Sequence, residues 1–342
     1  MEKIRFKDYL KDYLEYNNIT NKDFANRIDI TPKHLIDILS GSSDLSSHVV
    51  NNISMVTGIS ADYIYKIESN YKLELSIEEY LKENNLNEST FLSRFCYKHL
   101  IKVNFLPFID IDSKLEIIKD IIKFLRVSTP KKIYEIESDA FYKSKNDKPE
   151  LLLLWLEKCY RETLNQKVGE YKNENINLLV NYILESAKKE KFNENELINK
   201  FNEMGIFLVI QDDIPGSKIR GAFKVHLKTP AIYITRKHLR IADIYFALLH
   251  ELAHCKTDFN KAKSESLVSI ENNINEIESR ADNQAYNWMV SDEYYREIKN
   301  NPNYDINLEE KYPKSFVLYR LAKDGIIKYS SKEYQKHNKL LK

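Results

Sequence analysis

Glycine is scarce in this chain, 7 among 342 residues, and cysteine scarcer, at 3. Cys96, Cys159 and Cys255 are odd in number, far apart and outside any C-x-x-C pattern. They argue against a disulfide framework and for a reducing, cytoplasmic setting. Long apolar runs are missing too. The longest, Leu151 to Leu156, falls far short of the roughly 20 residues a membrane span needs, and Met1-Glu-Lys-Ile-Arg-Phe6 carries no apolar signal core. A soluble chain with no membrane partner is expected. Neither charge is in excess: 52 basic and 51 acidic residues leave +1, so nothing global advertises nucleic acid or a lipid surface. Abundant instead are Asn, Lys, Ile and Tyr, the bias of an AT-rich genome rather than of a special fold. The length suffices for two or three domains with cores of their own.

Against this background one pattern stands out, His250-Glu-Leu-Ala-His254. Two histidines four apart lie one turn above each other on a helix, so both imidazoles can reach one tetrahedral Zn²⁺. Glu251 between them is not a ligand; it is placed to take a proton from a water activated at the metal and to return it to a leaving amine. The preceding run from Ile241 is apolar at helical spacing and free of Gly and Pro, which makes the required helix plausible independently. A catalytic zinc needs a third protein ligand and an open position. Glu278, on a second helix-like segment from Ile274 to Val290, is the candidate, and Asp282 one turn on can fix a histidine tautomer through its ring N–H. Glu271 and Glu276 are rivals without such a carboxylate behind them. Cys255 points about 100° away from His254 on a helix and reads as a buried structural thiol.

Residues 1–70 read as a compact helical unit. Tyr9, Leu10, Tyr13 and Leu14 mark one amphipathic helix; Thr20 with Asp23 starts a second; Thr31-Pro32 starts a third, ending at Ser40-Gly41. A tight turn at Asp29 and Ile30 joins the last two, and Val49, Val50, Ile53 and Val56 before Gly58 give another helix. The runs Thr20 to Ile28, Ile30 to Leu35, Ile38 to Gly41 and Thr57 to Ser60 resemble the XRE-type helix-turn-helix of phage repressors, above all in HigA-type antitoxins. That resemblance implies a five-helix DNA-binding domain whose recognition helix presents Thr31, Lys33 and His34 to base edges of an operator. Lys22, Ser42, Ser43 and Ser46 would face phosphates. Acidic residues slightly outnumber basic ones here, which leaves a dimerising module without DNA binding as the alternative.

From 71 to 195 the apolar spacing predicts helices over 73–86, 115–125, 151–164 and 176–184, with breaks near Pro107, Ser128-Thr-Pro130 and Ser144 to Pro149, and no catalytic cluster; this is taken as a helical linker domain. From 196 to 342 the texture changes. Gly205 to Ile210, Gly221 to Val225 and Ala231 to Thr235 read as three strands, the last two separated by Thr229-Pro230. The expected fold class is mostly α with a small β-sheet.

Ile214-Pro-Gly-Ser217, Gly221-Ala222, Pro230 to Ile234, Phe246 to His254 and then Glu278-x-x-Ala281-Asp282-x-x-Ala285 resemble the ImmA/IrrE metallopeptidases. Phe124 to Ser128, Ala140 to Ser144, Trp155-Leu156 and Ser315 to Leu321 extend the likeness to members that carry a repressor-type domain. Gln284 stands where the family has an aromatic, and Met289-Val290 replaces its Leu/Met-Pro ending. The resemblance implies a C-terminal α+β gluzincin-like domain with His250, His254 and Glu278 on Zn²⁺, Glu251 as base, and a helix-turn-helix repressor as substrate. An oxyanion donor is also needed; His226, Tyr233, Arg236 and His238 are candidates, and the sequence does not choose among them. The other reading is a HigA-type antitoxin or repressor, able to act as a homodimer, whose C-terminal domain binds a partner such as a toxin, or senses zinc, without significant proteolysis.

Overall fold

A computed structural model describes residues 5–105, 113–140, 148–190, 192–237, 240–264, 266–270, 275–300 and 311–340. Met1 to Ile4, Pro107, His238, Glu271 and most of the Ser144 to Pro149 stretch lie outside the described residues. The chain divides into two compact units, Met1–Phe91 with Phe108–Lys132, and Leu92–Pro107 with Ile133–Lys342. The stretch 71–195 is therefore shared between them.

The first unit opens with α1 (Phe6–Tyr16), α2 (Asn21–Arg27), α3 (Pro32–Ser40), α4 (Ser47–Thr57) and α5 (Ala61–Glu83). Their starts are chemically marked. The hydroxyls of Thr20, Thr31 and Ser46 accept the backbone N–H of Asp23, His34 and Val49, satisfying donors that a helix leaves free at its first turn. Gly41 ends α3 at φ 86°, a left-handed value that a Cβ would penalise. Asp29, at φ 55°, turns the chain between α2 and α3. Phe6, Leu10, Phe24, Leu35, Ile38, Val50, Ile53 and Ile64 fill the core. Buried Glu68 of α5 reaches back to the start of α1, where it accepts the Phe6 N–H at 2.9 Å and pairs with Arg5 at 3.1 Å. The helix expected to begin at Leu73 is instead the second half of α5, because no Gly or Pro interrupts residues 61–83.

Four helices follow: α6 (Glu88–Arg94), α7 (Tyr97–Lys102), α8 (Lys114–Phe124) and α9 (Pro130–Ala140). Lys119 of α8 is buried, with its ammonium 2.6 Å from both Glu74 of α5 and Glu116, and these carboxylates compensate its desolvation.

The second unit continues with α10 (Pro149–Thr163), α11 (Asn175–Lys188), α12 (Glu194–Glu203), β1 (Phe207–Gln211), β2 (Ile219–His226), β3 (Thr229–Thr235) and α13 (Ile241–Thr257). It closes with β4 (Leu267–Ile270), α14 (Glu276–Met289), α15 (Asp292–Asn300), α16 (Lys314–Lys323) and α17 (Lys332–His337). The sheet runs β1-β3-β2-β4, with β1 parallel to β3 and the other pairs antiparallel. Side chains alternate across it. Phe223, Val225, Ile232 and Ile234 join Leu248, Leu249 and Leu252 of α13 and Leu179 and Ile183 of α11 in one core. On the opposite face Trp155 of α10 meets Tyr233 edge-on at 6.4 Å and donates its indole N–H to the Asp212 carbonyl.

Two details differ from expectation. Thr229-Pro230 is the start of β3 rather than a break; Pro230 pairs with Val225 on one side, before pairing with β1 begins at Ala231, so its missing N–H interrupts no β1 partner. The reversal falls at Leu227, at φ 59°. A fourth strand, β4, joins the three expected ones.

The helix α13 has no side-chain cap of its own at Arg240. Asn338, fully buried, supplies it from 96 residues away: its side-chain carbonyl accepts the Ala242 N–H at 2.9 Å while its amide donates to Tyr334 at 2.6 Å. The Lys339 carbonyl accepts the Ile241 N–H at 3.1 Å. Replacing Asn338 by Ala leaves a buried donor unpaired and should lower unfolding stability by about 1–3 kcal/mol. Urea denaturation measures this, and an unchanged midpoint would show that the cap is dispensable.

Candidate metal centre

The second unit brings His250 and His254 of α13 and Glu278 of α14 together, with potential ligand atoms all within 4.8 Å of one another. The local reason is simple for α13, whose helical pitch stacks the two imidazoles. For α14, Asn275 caps the helix by accepting the Glu278 N–H at 2.9 Å, which sets Glu278 in the first turn, where a helix favours negative charge. Packing of α14 against α13 does the rest.

Each histidine has its outer nitrogen committed. His250 Nδ1 is 2.8 Å from Asp282 and His254 Nδ1 is 3.0 Å from Asp258. The carboxylates accept, so both Nδ1 atoms carry a hydrogen, and it is the Nε2 atoms that face inward. Those two Nε2 atoms are 3.1 Å apart, and Glu278 oxygens lie 3.2 Å from one and 3.4 Å from the other. Ligands about 2.1 Å from a tetrahedral ion are separated by about 3.4 Å; the two Nε2 atoms have that spacing and each has a different oxygen of Glu278 beside it, a grouping that could hold a metal ion.

The electrostatics agree. Four carboxylates, Glu251, Asp258, Glu278 and Asp282, surround two imidazoles, with Arg280 paired to Asp258. Burial opposes charging His250, but the bonds to Asp282 and Glu278 outweigh it and push its pKa up to about 10. Burial also resists ionisation of Glu278, yet the two histidines draw its pKa down to about 2. Without a metal the pocket thus takes its positive charge as protons, which a divalent ion would replace. Glu251 is 1% exposed, and burial pushes its pKa up to about 7. One of its oxygens accepts from Ser269 at 2.8 Å; the other is buried without a hydrogen-bond partner.

His250, Glu251, His254, Glu278 and Asp282 therefore meet at one place. The described oxyanion candidates do not join them, and His238 lies outside the described residues. Tyr233 lies on the sheet face turned away from α13, its hydroxyl 2.6 Å from His226, and Arg236 is engaged by Glu194 and Asp212. Thr31, Lys33 and His34 belong to the first unit: Thr31 and Lys33 are exposed and His34 is half-buried, all at the start of α3, where the Thr31 hydroxyl also serves as the cap. Lys22, Ser42 and Ser46 are exposed as well, and Ser43 is half-buried.

Three residues at the centre were not anticipated. Asp258 follows His254 at the same four-residue interval that separates the histidines, a legible signal. Gly221 stood out only as part of the Gly221-Ala222 motif, with no role assigned, and Ser269 carried no signal. A Cβ on Gly221 would come within 2.5 Å of the Glu251 carboxylate, so only glycine lets β2 lie against it.

No protein-family model matches the chain, and a search of curated proteins finds no match either.

Elemental analysis of the purified chain should find about one divalent ion per molecule. His254→Ala and Glu278→Ala should each lose most of it and Glu251→Gln should keep it, while Asp258→Asn and Asp282→Asn should weaken affinity about 10–100-fold. Full occupancy in Glu278→Ala would remove that residue from the ligand set.

Proposed function

We propose that this chain is a zinc-dependent endopeptidase of the ImmA/IrrE kind, joined to an operator-binding helix-turn-helix domain, and that its substrate is a helix-turn-helix repressor or a related regulatory protein. The observation that carries the peptidase reading is the buried Glu251 carboxylate, held beside the convergent Nε2 atoms of His250 and His254 with one oxygen unpartnered. A purely structural metal site has no need of such a base. Zinc, held by His250, His254 and Glu278, would supply Lewis acidity, polarising a scissile carbonyl and making water more acidic. Glu251, with its pKa raised by burial to about 7, is poised to accept the proton of the attacking water and return it to the leaving amine. Asp258 and Asp282 hold the histidine tautomers that this requires. The operator reading rests on α3, whose first turn exposes Thr31 and Lys33 beside His34.

A second reading, a HigA-type antitoxin or repressor with little proteolysis, is favoured by one observation: His254 is 0% exposed and His250 5%, unusually closed for a site that must admit a peptide.

Incubation of wild type and Glu251→Gln with a helix-turn-helix repressor encoded beside it, read by mass spectrometry, tests the first reading. Specific fragments are expected from wild type alone, with cuts in an exposed, extended segment. Identical fragments from both, or none from zinc-loaded wild type under any condition, favours the second.

For the N-terminal unit, specific binding to a short inverted repeat near its own gene is expected. Replacing Lys33 and His34 together by Ala should relax sequence preference, at about 1–3 kcal/mol for each base no longer recognised. A mobility-shift titration showing wild type inert even at low salt leaves only a dimerising role for this unit.

A further inference from the structure

We propose that the Ser269 hydroxyl occupies the fourth ligand position of the metal centre and holds it latent, so that the site opens only when β4 leaves the edge of β2. The inference rests on the metal reading above and adds a regulatory residue to it.

The placement follows from strand geometry. β4 pairs antiparallel with β2, with Leu267 opposite Phe223 and Ser269 opposite Gly221. Phe223 and Leu267 belong to the core shared with α13, and alternation puts Ser269 on that same face. A bulge at Ile219/Gly221 sets two residues of β2 against one of β4, and so aims the end of β4. Because Gly221 has no side chain, nothing separates the strand pair from the Glu251 carboxylate.

The Ser269 hydroxyl oxygen lies 3.1 Å from His250 Nε2 and donates to Glu251 at 2.8 Å. The first distance is like the 3.1 Å between the two Nε2 atoms. The hydroxyl thus stands at ligand spacing from His250 Nε2, and it gives its hydrogen bond to Glu251, the group that would otherwise hold a water. A catalytic zinc keeps this position open, whereas a structural one closes it. Ser269 itself is 4% exposed, so the position is sealed rather than merely occupied.

The seal is local. β4 is only 4 residues long and β2 is its sheet neighbour. Withdrawing it would take the hydroxyl from the centre and bare the β2 edge to an extended peptide, which could add to the sheet by backbone pairing. A substrate strand would then compete with β4 for one edge, and activity would be gated by that competition.

The test uses the full chain loaded with Co²⁺ and read by absorption. In Ser269→Cys the new thiolate should bind cobalt and add a near-ultraviolet sulfur-to-metal band that wild type lacks. In Ser269→Ala the strand loses the ligand that holds it on the centre, so the open state should gain population and acetohydroxamate should bind up to about tenfold more tightly than to wild type, the full factor expected if the wild-type open state is populated one part in ten. Cobalt bound by all three proteins, with no new band and equal hydroxamate affinity, overturns the proposal while leaving the metal centre intact. Should Ser269→Cys fail to load cobalt, the Ser269→Ala titration decides alone. Cobalt bound by none, or equally by Glu278→Ala, overturns the metal centre and this inference with it.

Discussion

Two imidazole nitrogens pressed to 3.1 Å in a buried pocket, each with its partner nitrogen already given to a carboxylate, form an arrangement that only a positive charge between them makes stable. Lone pairs facing at that distance repel, and four carboxylates around them would repel one another as well. Leaving such groups uncompensated inside a protein costs about 3–5 kcal/mol for each broken buried pair. A proton relieves this in part, as the raised pKa of His250 records. A divalent ion relieves it more fully, because it serves both nitrogens and Glu278 at once.

Much of the second unit supports that one cluster. α13 is buried along nearly its whole length, which fixes the ring positions, and its start is held by Asn338 from the end of the chain. α14 is set by its Asn275 cap so that Glu278 and Asp282 fall one turn apart on the side facing α13. The β2–β4 pair closes the cluster from the sheet side, with Gly221 where the Glu251 carboxylate approaches and the Ser269 hydroxyl donating to that carboxylate. The same enclosure that strengthens these interactions, through a low local dielectric, also denies access.

The first unit is built on different terms. Hydroxyl caps, a glycine stop and a short turn define α2 and α3 from within a few residues, and the exposed first turn of α3 carries the side chains on which an operator reading depends. Acidic residues slightly outnumber basic ones there, so this unit has no general electrostatic field that would draw it to phosphates.

Most signals of purely local physics were read correctly, the exceptions being Thr229-Pro230, which opens β3 rather than breaking the chain, and the helix start placed at Leu73 inside α5. The caps at Thr20, Thr31 and Ser40-Gly41, the strands around 205–235, and the H-E-x-x-H helix all follow from residues within a turn or two of one another. The grouping of His250, His254 and Glu278 was also legible, because helical pitch and a second carboxylate-bearing helix narrow the choice. The sequence alone determined the elements and the ligand types, since these depend on propensity, capping and periodicity along the chain. Only the tertiary structure decided what faces the two inward Nε2 atoms. Ser269 lies 18 residues from Glu251 and Asn338 lies 96 from Ala242, and no rule of spacing links them. Strand alternation, a bulge and the packing of α13 against the sheet bring Ser269 to the cluster, while the same alternation turns Tyr233 and His226 away from it. These are properties of how elements meet, and they arise only once the core has formed.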